Sequence, residues 1–359
     1  MVDLLMSEKF IVKSRLRDYE VCFLEDINST IEHYANINSF FIIDKRVMDL
    51  FGKQISCKLT GERTLIVEAV EQNKTLDYCT GLIQRLITAN VRRDNCLIAI
   101  GGGIIQDITS FVSTILFRGI EWVFFPTTLL SQSDSCIGSK TSINLNEYKN
   151  LLGSFYPPSK VFIDINFLKT LPVGEIKSGI GEILHFYFND GSRLAREMMD
   201  SYDNILKTPS LLEKYIKASL KIKKKIIEID ELDKNERNLF NYGHTFGHAI
   251  ETISNYSVPH GQAVTLGMDI ANFVSLRLGY LDKNVFEDMR KIMSRNLPTF
   301  RINEDMIDDY IRALSKDKKN MGNNLGCILT NGPGSMRKEY VPLNDELRDL
   351  ILAYFRVNT

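Results

Sequence analysis

The sequence predicts an α/β domain built on a doubly wound, mostly parallel sheet, followed by an α-helical domain. Three observations carry that expectation. Up to Pro172, short apolar β-type runs alternate with longer amphipathic segments. One of the runs, CLIAI, enters Gly101-Gly102-Gly103 and then a helical pattern at once. Beyond Pro172 the apolar period becomes 3.6. There, three of the five histidines crowd into RNLFNYGHTFGHAIETISNYSVPHGQ, Arg237 to Gln262.

At 359 residues the chain is long for one compact core, so two domains are expected, 1–172 and 173–359. Hydrophobic residues at 44% and charged residues at 25% describe an ordinary globular protein. A net charge of -1 excludes a global field for nucleic acid or an anionic membrane. Phosphate must then be met by local Lys and Arg. Cys22, Cys57, Cys79, Cys96, Cys136 and Cys327 form no C-x-x-C pair. That pattern points to a reducing compartment, with neither a disulfide framework nor a thiolate zinc site. Asp3, Glu8 and Lys9 interrupt the early apolar residues, and no run of ~20 apolar residues could span a bilayer. A cytoplasmic location is the expectation.

In the first domain the strands are FFIID (40–44), TLIVEAV (64–70), CLIAI (96–100), WVFFP (122–126) and KVFIDI (160–165). They are apolar on both faces, as strands covered by helices must be. TLDYCTGLIQRLITAN supplies a covering helix before the third. The glycine triplet lets backbone N–H groups approach a pyrophosphate at a helix N-terminus. It lacks the G-x-G-x-x-G spacing, so a tight turn without ligand fits it as well. Asp107, just inside that helix, suits either a helix-dipole partner or a nicotinamide contact. The segment after WVFFP reads as a polar loop dense in Thr127, Thr128, Asp134, Ser139, Lys140, Thr141, Asn144, Lys149 and Asn150. Loops at strand carboxyl ends are where α/β proteins place ligands.

The second domain carries the histidines. His244 and His248 are four apart in a helical pattern and share a face. His260 follows in Pro-His-Gly, where a chain reversal would bring a third imidazole back toward them. Three imidazoles suit catalytic zinc, while a core histidine pair with a separate surface histidine fits the spacing equally. In IKSGIGEILHF, Glu182 is a lone carboxylate in an apolar helical stretch, and such groups are rarely buried without a partner or metal. It offers a His₂Glu alternative, with His185 on the next turn.

Taken in order, GGGIIQD, FRG, PTTLL, SDS…SKTSIN…YKNLLGSFYPP, FLKTLP, SGIGEIL, RNLFNYGHTFGHAIE, PHGQAV and DKK resemble the sugar phosphate cyclase family, of the 3-dehydroquinate synthase kind. The resemblance runs from about Asp44 to Lys319. It implies a dehydroquinate synthase-like fold, related to metal-dependent alcohol dehydrogenases of the glycerol dehydrogenase type. The N-terminal domain is then Rossmann-like and nucleotide-binding, and the helical C-terminal domain metal- and substrate-binding.

Carried over residue by residue, it makes Glu182, His244 and His260 the ligands of zinc, with cobalt able to substitute. It puts NAD on Asp44, Glu71, Lys74, Gly102, Gly103, Asp107, Thr127, Thr128, Lys149, Phe167, Thr170, Leu171 and Glu175. Asp134, Lys140, Asn241 and His248 become catalytic contacts, together with His185. Asn150, Lys223, Arg237 and a lysine of the DKK run, Lys318 or Lys319, hold the substrate. Arg118 reaches a neighbouring subunit's phosphate site, which implies a homodimer.

The implied substrate is a small sugar phosphate, a heptulosonate 7-phosphate. Transient oxidation by NAD permits phosphate elimination, and re-reduction with aldol closure gives the carbocycle. The shikimate route to aromatic amino acids is the implied setting. This sequence departs from the family where His185 replaces a lysine and Gln262 a glutamate. Gln106 and Ser139 replace glycines, and Arg46 stands where an uncharged polar residue is common. Arg237 is kept, which favours a carboxylated substrate held by guanidinium. The competing readings are an amino-substituted heptulosonate or another secondary-metabolism cyclase, a net glycerol dehydrogenase-like oxidoreductase, and a binding-only paralogue.

Overall fold

A computed structural model describes residues 6–55, 59, 61–146 and 148–357. Cys57 lies outside them. The chain divides into two compact units, 1–171 with 227–232, and 172–226 with 233–359. The sequence-based boundary left 227–232 with the helical domain, and its contacts place it in the first unit. There Ser14 Oγ and the Arg15 N–H donate to Glu231, each at 2.8 Å.

The first unit opens with β1 (Met6–Val12) and β2 (Tyr19–Leu24), followed by α1 (Ile27–Ala35), β3 (Ser39–Asp44) and α2 (Lys45–Ile55). Then come β4 (Thr64–Val67), α3 (Leu76–Thr88), β5 (Cys96–Gly101), α4 (Gly103–Ile115) and β6 (Glu121–Pro126). It closes with β7 (Lys140–Leu145), β8 (Tyr148–Phe155) and β9 (Lys160–Ile163). Among the described residues the main sheet has 7 strands in the order β1-β2-β9-β6-β5-β3-β4. It is parallel except for the β1–β2 edge. All of β5 is buried, which is why its sequence shows no polar alternation. Ile43, Ile98, Ile100, Phe125 and Phe162 fill one side of the sheet. Thr75 caps α3 by accepting from the Tyr78 N–H.

The polar segment after β6 is more ordered than the loop the sequence suggests. Ser131–Ser135 forms a π-helical turn, and β7 pairs with β8 as an antiparallel hairpin. Its apolar residues are partly on the outside: Tyr148, Leu151 and Phe155 are exposed, so no clean period-2 pattern marks it.

The second unit is helical as expected: α5 (Val173–Asp190), α6 (Arg193–Asp200), α7 (Tyr202–Lys207), α8 (Glu213–Ile229), α9 (His244–Ile253) and α10 (His260–Arg277). α11 (Lys283–Met293) and α12 (Ile307–Ser315) precede a 2-stranded hairpin, β10 (Asn324–Thr330) with β11 (Met336–Pro342), and α13 (Asp345–Val357) closes the chain. The last three residues of α8 belong to the first unit. The hairpin is an element that sequence periodicity missed. α10 is buried on nearly all sides, and its Asp269 is paired with Arg290 and with the Tyr354 hydroxyl at 2.5 Å. Among the described residues no helix is long and apolar enough to cross a membrane.

Candidate active site

Glycines bring the histidine helices together. A Cβ on Gly181 would sit 1.9 Å from the Gly261 carbonyl oxygen, and one on Gly261 would sit 1.8 Å from that of Ser178. Only hydrogen at both positions lets α5 and α10 touch backbone to backbone. The Gly261 N–H then donates to Ser178 Oγ at 3.0 Å. Glu182 and His260, each next to one of these glycines, are thereby set face to face.

Glu182 Oε1 lies 3.1 Å from His260 Nε2 and 3.7 Å from His244 Nε2. Ligands about 2.0–2.1 Å from a tetrahedral ion are about 3.4 Å apart, so one cation fits between these atoms. Glu182 is 2% exposed, and no well-directed hydrogen bond reaches its Oε1. A carboxylate in that setting calls for a cation. Burial, and then the neighbouring His185, His248 and His260, push the His244 imidazole well below its ordinary value. That direction favours the neutral ring a metal ligand needs. Burial also pushes His260 down, but the adjoining Glu182 and Glu251 carboxylates outweigh it and raise its pKa well above the ordinary one. A cation on Nε2 would displace that proton.

Behind the donors, His244 Nδ1 is 3.3 Å from the Tyr242 carbonyl oxygen. Tyr242 is in turn held by its hydroxyl, which donates to Asn272. His260 Nδ1 is 3.1 Å from Glu251 Oε1. Sequence reading passed over Glu251, although it closes the GHAIE motif. The available signal was its place seven residues after His244, on the same helical face.

His248 is exposed beside this set, its ring stacked on His260 at 5.8 Å between centroids. His185 is 1% exposed. Its Nδ1 is 4.0 Å from Glu182 Oε2, and its ring packs edge-on against His244 and Phe240 at 5.0 and 5.6 Å. Of the two lysines left open by the sequence, Lys318 is exposed and Lys319 turns inward. Burial pushes the Lys319 ammonium below its ordinary value, with Asp317 at 3.6 Å opposing the shift. Its charge is felt at both His244 and His248. Arg237 and Asn241 lie in the short 3-10 turn before α9, half-buried, and Lys223 is half-buried on α8. Glu175 stands exposed in the first turn of α5.

In the first unit the expected cofactor residues gather at the carboxyl ends of the parallel strands. Asp44 ends β3, Gly102 and Gly103 follow β5, Thr127 and Thr128 follow β6, and Phe167, Thr170 and Leu171 lie beyond β9. That edge is where doubly wound sheets bind ligands. A Cβ on Gly102 would approach Thr128 Cγ2 to 2.9 Å, so the two turns touch. The Asp44 carboxylate accepts the Arg46 N–H at 2.9 Å, and burial raises its pKa.

Lys74 is 5% exposed. It reaches Asp107 at 2.8 Å, Glu71 at 3.7 Å and Asn150 Oδ1 at 2.8 Å. Burial raises the Asp107 carboxyl and the Lys74 charge opposes it. Asn150, expected at the substrate, is thus tied to the same cluster as Glu71, Lys74 and Asp107, through a backbone at φ 54. The Phe167 ring is in the core, edge-on to Phe51 at 4.9 Å.

Asp134 is carried by the π-helical turn. Gln106 clamps that turn: its Nε2 donates to the Ser135 carbonyl oxygen and its Oε1 accepts from Ser135 Oγ, each at 2.6 Å. Lys140 and Lys149 are exposed on the β7–β8 hairpin. Arg118 is exposed at φ 63, directly after Phe117 at φ 54.

Comparison with known proteins gives one answer. Residues 64–178 match the model for the 3-dehydroquinate synthase N-terminal domain, and residues 179–320 that for its C-terminal domain. The chain is 34% identical to the 3-dehydroquinate synthase of Alkaliphilus metalliredigens, over 91% of this chain and 93% of the relative. It is 36% identical to that of Clostridium tetani, over 84% and 82%. Among solved structures it is similar to 2-deoxy-scyllo-inosose synthase complexed with carbaglucose-6-phosphate, NAD+ and Co2+. There the TM-score is 0.86 at 25% identity, over 96% of this chain and 100% of that one. The fold also matches the 2-epi-5-epi-valiolone synthase of Streptomyces hygroscopicus, with NAD+ and Zn2+ bound, at a TM-score of 0.82 and 21% identity, over 98% and 100%. Matches over most of its length to both halves of one enzyme, on a shared fold, show that this chain belongs to the 3-dehydroquinate synthase family.

Proposed function

We propose that this chain is a phosphate-eliminating cyclase that converts a carboxylated heptulosonate 7-phosphate to 3-dehydroquinate. One observation carries the reading: Glu182, His244 and His260 present three ligand atoms around a single point in a protein of this family. When bound, a divalent cation supplies Lewis acidity to a hydroxyl or carbonyl oxygen, and NAD supplies a reversible hydride acceptor.

The chain's own residues do the rest. Glu182 sets a negative charge against the cation, and the two imidazoles leave a position open for substrate oxygen. Asp44, Gly102, Gly103, Asp107, Thr127, Thr128 and their neighbours hold the nucleotide at the strand ends. Arg237 grips the substrate carboxylate bidentately. Lys319, Lys140, Asn150 and Lys223 meet phosphate and hydroxyl oxygens, with Asp134, Asn241 and His248. Once one ring carbon is a ketone, the carbon beside it loses its acidified proton, the C–H electron pair becomes a C=C bond conjugated to the ketone, and the C–O bond to phosphate on the next carbon breaks. The departing phosphate is the proton's acceptor. His185, buried under Glu182 and His244, acts through them and not by touching substrate.

We extend the reading to a homodimer in which Arg118 completes the partner's phosphate site. Its support is the exposed guanidinium on two consecutive left-handed residues, with exposed Tyr148, Leu151 and Phe155 on β8.

The test is phosphate release over a panel of sugar phosphates with and without a carboxylate, with reduced nicotinamide followed by its own absorbance. The expected outcome is phosphate and 3-dehydroquinate from the carboxylated heptulosonate, without NADH accumulation. Stoichiometric NADH would instead support a glycerol dehydrogenase-like oxidoreductase. A second reading, an amino-substituted heptulosonate, rests on the fixed positive charge that is lost where His185 replaces the family lysine, and the panel includes it.

A further inference from the structure

We infer that Glu251 is the positioning residue of the metal site. Its carboxylate accepts the Nδ1–H of His260 and so aims Nε2 of that ring at the point shared with Glu182 and His244. The inference rests on the reading of Glu182, His244 and His260 as the metal's ligands.

The geometry is that of one ring held from both ends. Glu251 Oε1 is 3.1 Å from Nδ1, and Glu182 Oε1 is 3.1 Å from Nε2. A neutral imidazole carries one proton, and with that proton on Nδ1 the Nε2 lone pair is free for a cation. His244 is treated alike, its Nδ1 facing the Tyr242 carbonyl. The two rings differ in that a carbonyl fixes one and a charged carboxylate the other, and the carboxylate also raises the basicity of its ligand.

The same residue ties down the turn that delivers His260. The Glu251 carbonyl oxygen accepts from the Tyr256 N–H at 2.8 Å and from Ser254 Oγ at 3.1 Å. The turn passes through Asn255 at φ 49 and Tyr256 at φ 59, two consecutive left-handed residues without glycine. Such backbone persists only where surrounding contacts over-determine it. Glu251 therefore secures His260 twice, through the chain leading to it and through its ring.

Glu251 could instead be a ligand itself, since it forms a second donor cluster with His248 and His260. The burial argues against that use. His248 is exposed, whereas Glu182 is 2% exposed on the opposite nitrogen. A cation on the Glu251 side would leave the most deeply buried carboxylate of the site without one.

The experiment compares full-length wild type, Glu251→Gln, Glu251→Ala and His260→Ala. Zinc affinity is read by chelator competition, and the d–d absorption of the cobalt-loaded forms reports ligand geometry. Glu251→Ala should lose about 10–100-fold in zinc affinity and shift the cobalt bands. Glu251→Gln keeps an acceptor without the charge and should fall between. Should Glu251→Ala not fold, a Glu251→Gln protein with wild-type affinity and spectrum overturns the proposal by itself. So does Glu251→Ala with an unchanged affinity and spectrum. Loss of binding in both Glu251 variants as complete as in His260→Ala makes Glu251 a ligand and also overturns it. Wild-type affinity in His260→Ala refutes the ligand reading beneath, which the Glu251 variants alone would not.

Discussion

Substituting Gly181 by Ala should dismantle the metal site without touching a ligand. The added Cβ would sit 1.9 Å from the Gly261 carbonyl oxygen, and side-chain carbons essentially never come within 3.0 Å of such an atom. The obstacle is backbone of a buried helix, so α5 and α10 must part by about 1.1 Å or more. Carried to the side chains, the 3.1 Å between Glu182 Oε1 and His260 Nε2 would open to about 4.2 Å, the most that two bonds of ~2.1 Å can span even in a straight line. Tetrahedral coordination is then impossible with both. Overpacking of this kind also costs about 1–3 kcal/mol of stability. Zinc affinity by chelator competition should fall at least about tenfold, and zinc should no longer raise the melting temperature as in wild type. Gly81→Ala, in the middle of α3 with nothing within 4 Å of its Cβ, is the control and should stabilise by up to about 1 kcal/mol. A Gly181→Ala protein with wild-type zinc affinity would refute the argument that glycine contact sets the ligand spacing.

Four further outcomes follow from the same geometry. Lys319→Ala should cost about 10–100-fold in kcat/KM, the worth of a hydrogen bond to a charged group, while exposed Lys318→Ala should stay within a few-fold. Because burial lowers the Lys319 pKa, its ammonium and the anion grip that depends on it are complete at low pH. They are lost as pH rises through that lowered value, so the alkaline limb of kcat/KM should begin below the ordinary lysine range and disappear in Lys319→Met. Gln106→Ala removes two hydrogen bonds to the turn carrying Asp134, worth about 1–3 kcal/mol together. Steady-state kinetics should show lower turnover with zinc affinity unchanged, and a loss of zinc would count against the assignment. Arg118→Ala should raise KM for the phosphorylated substrate with the dimer intact by light scattering, and a fully active monomeric wild type would exclude the shared site.

Much of this molecule was legible in its sequence because it is set by local chemistry. Strands buried on both faces must be apolar throughout, so β3, β5, β6 and β9 announce themselves as short runs between helices. The pairing of His244 with His248 follows from helical period, and the strand-end turns follow from their glycines. The π-helical turn and the β7–β8 hairpin were read as loop, since an outward apolar face and a polar inner network give no alternation. Glu251 passed as an ordinary helix-end carboxylate, and Lys318 and Lys319 looked alike.

Only the tertiary structure decided these. Glu182 and His260 are far apart in sequence, and they meet because two helices touch at Gly181 and Gly261. Lys319 is the inward lysine because a Cβ on Gly326 would sit 2.3 Å from the Lys319 carbonyl oxygen, so β10 packs closely against its backbone. His185 is a buried neighbour of the ligands because Phe240 and His244 close over its ring. Propensity and period act over a few residues and name the elements. Which nitrogen faces which carboxylate is settled by contacts between elements, and those depend on volumes and backbone approach that no single segment encodes.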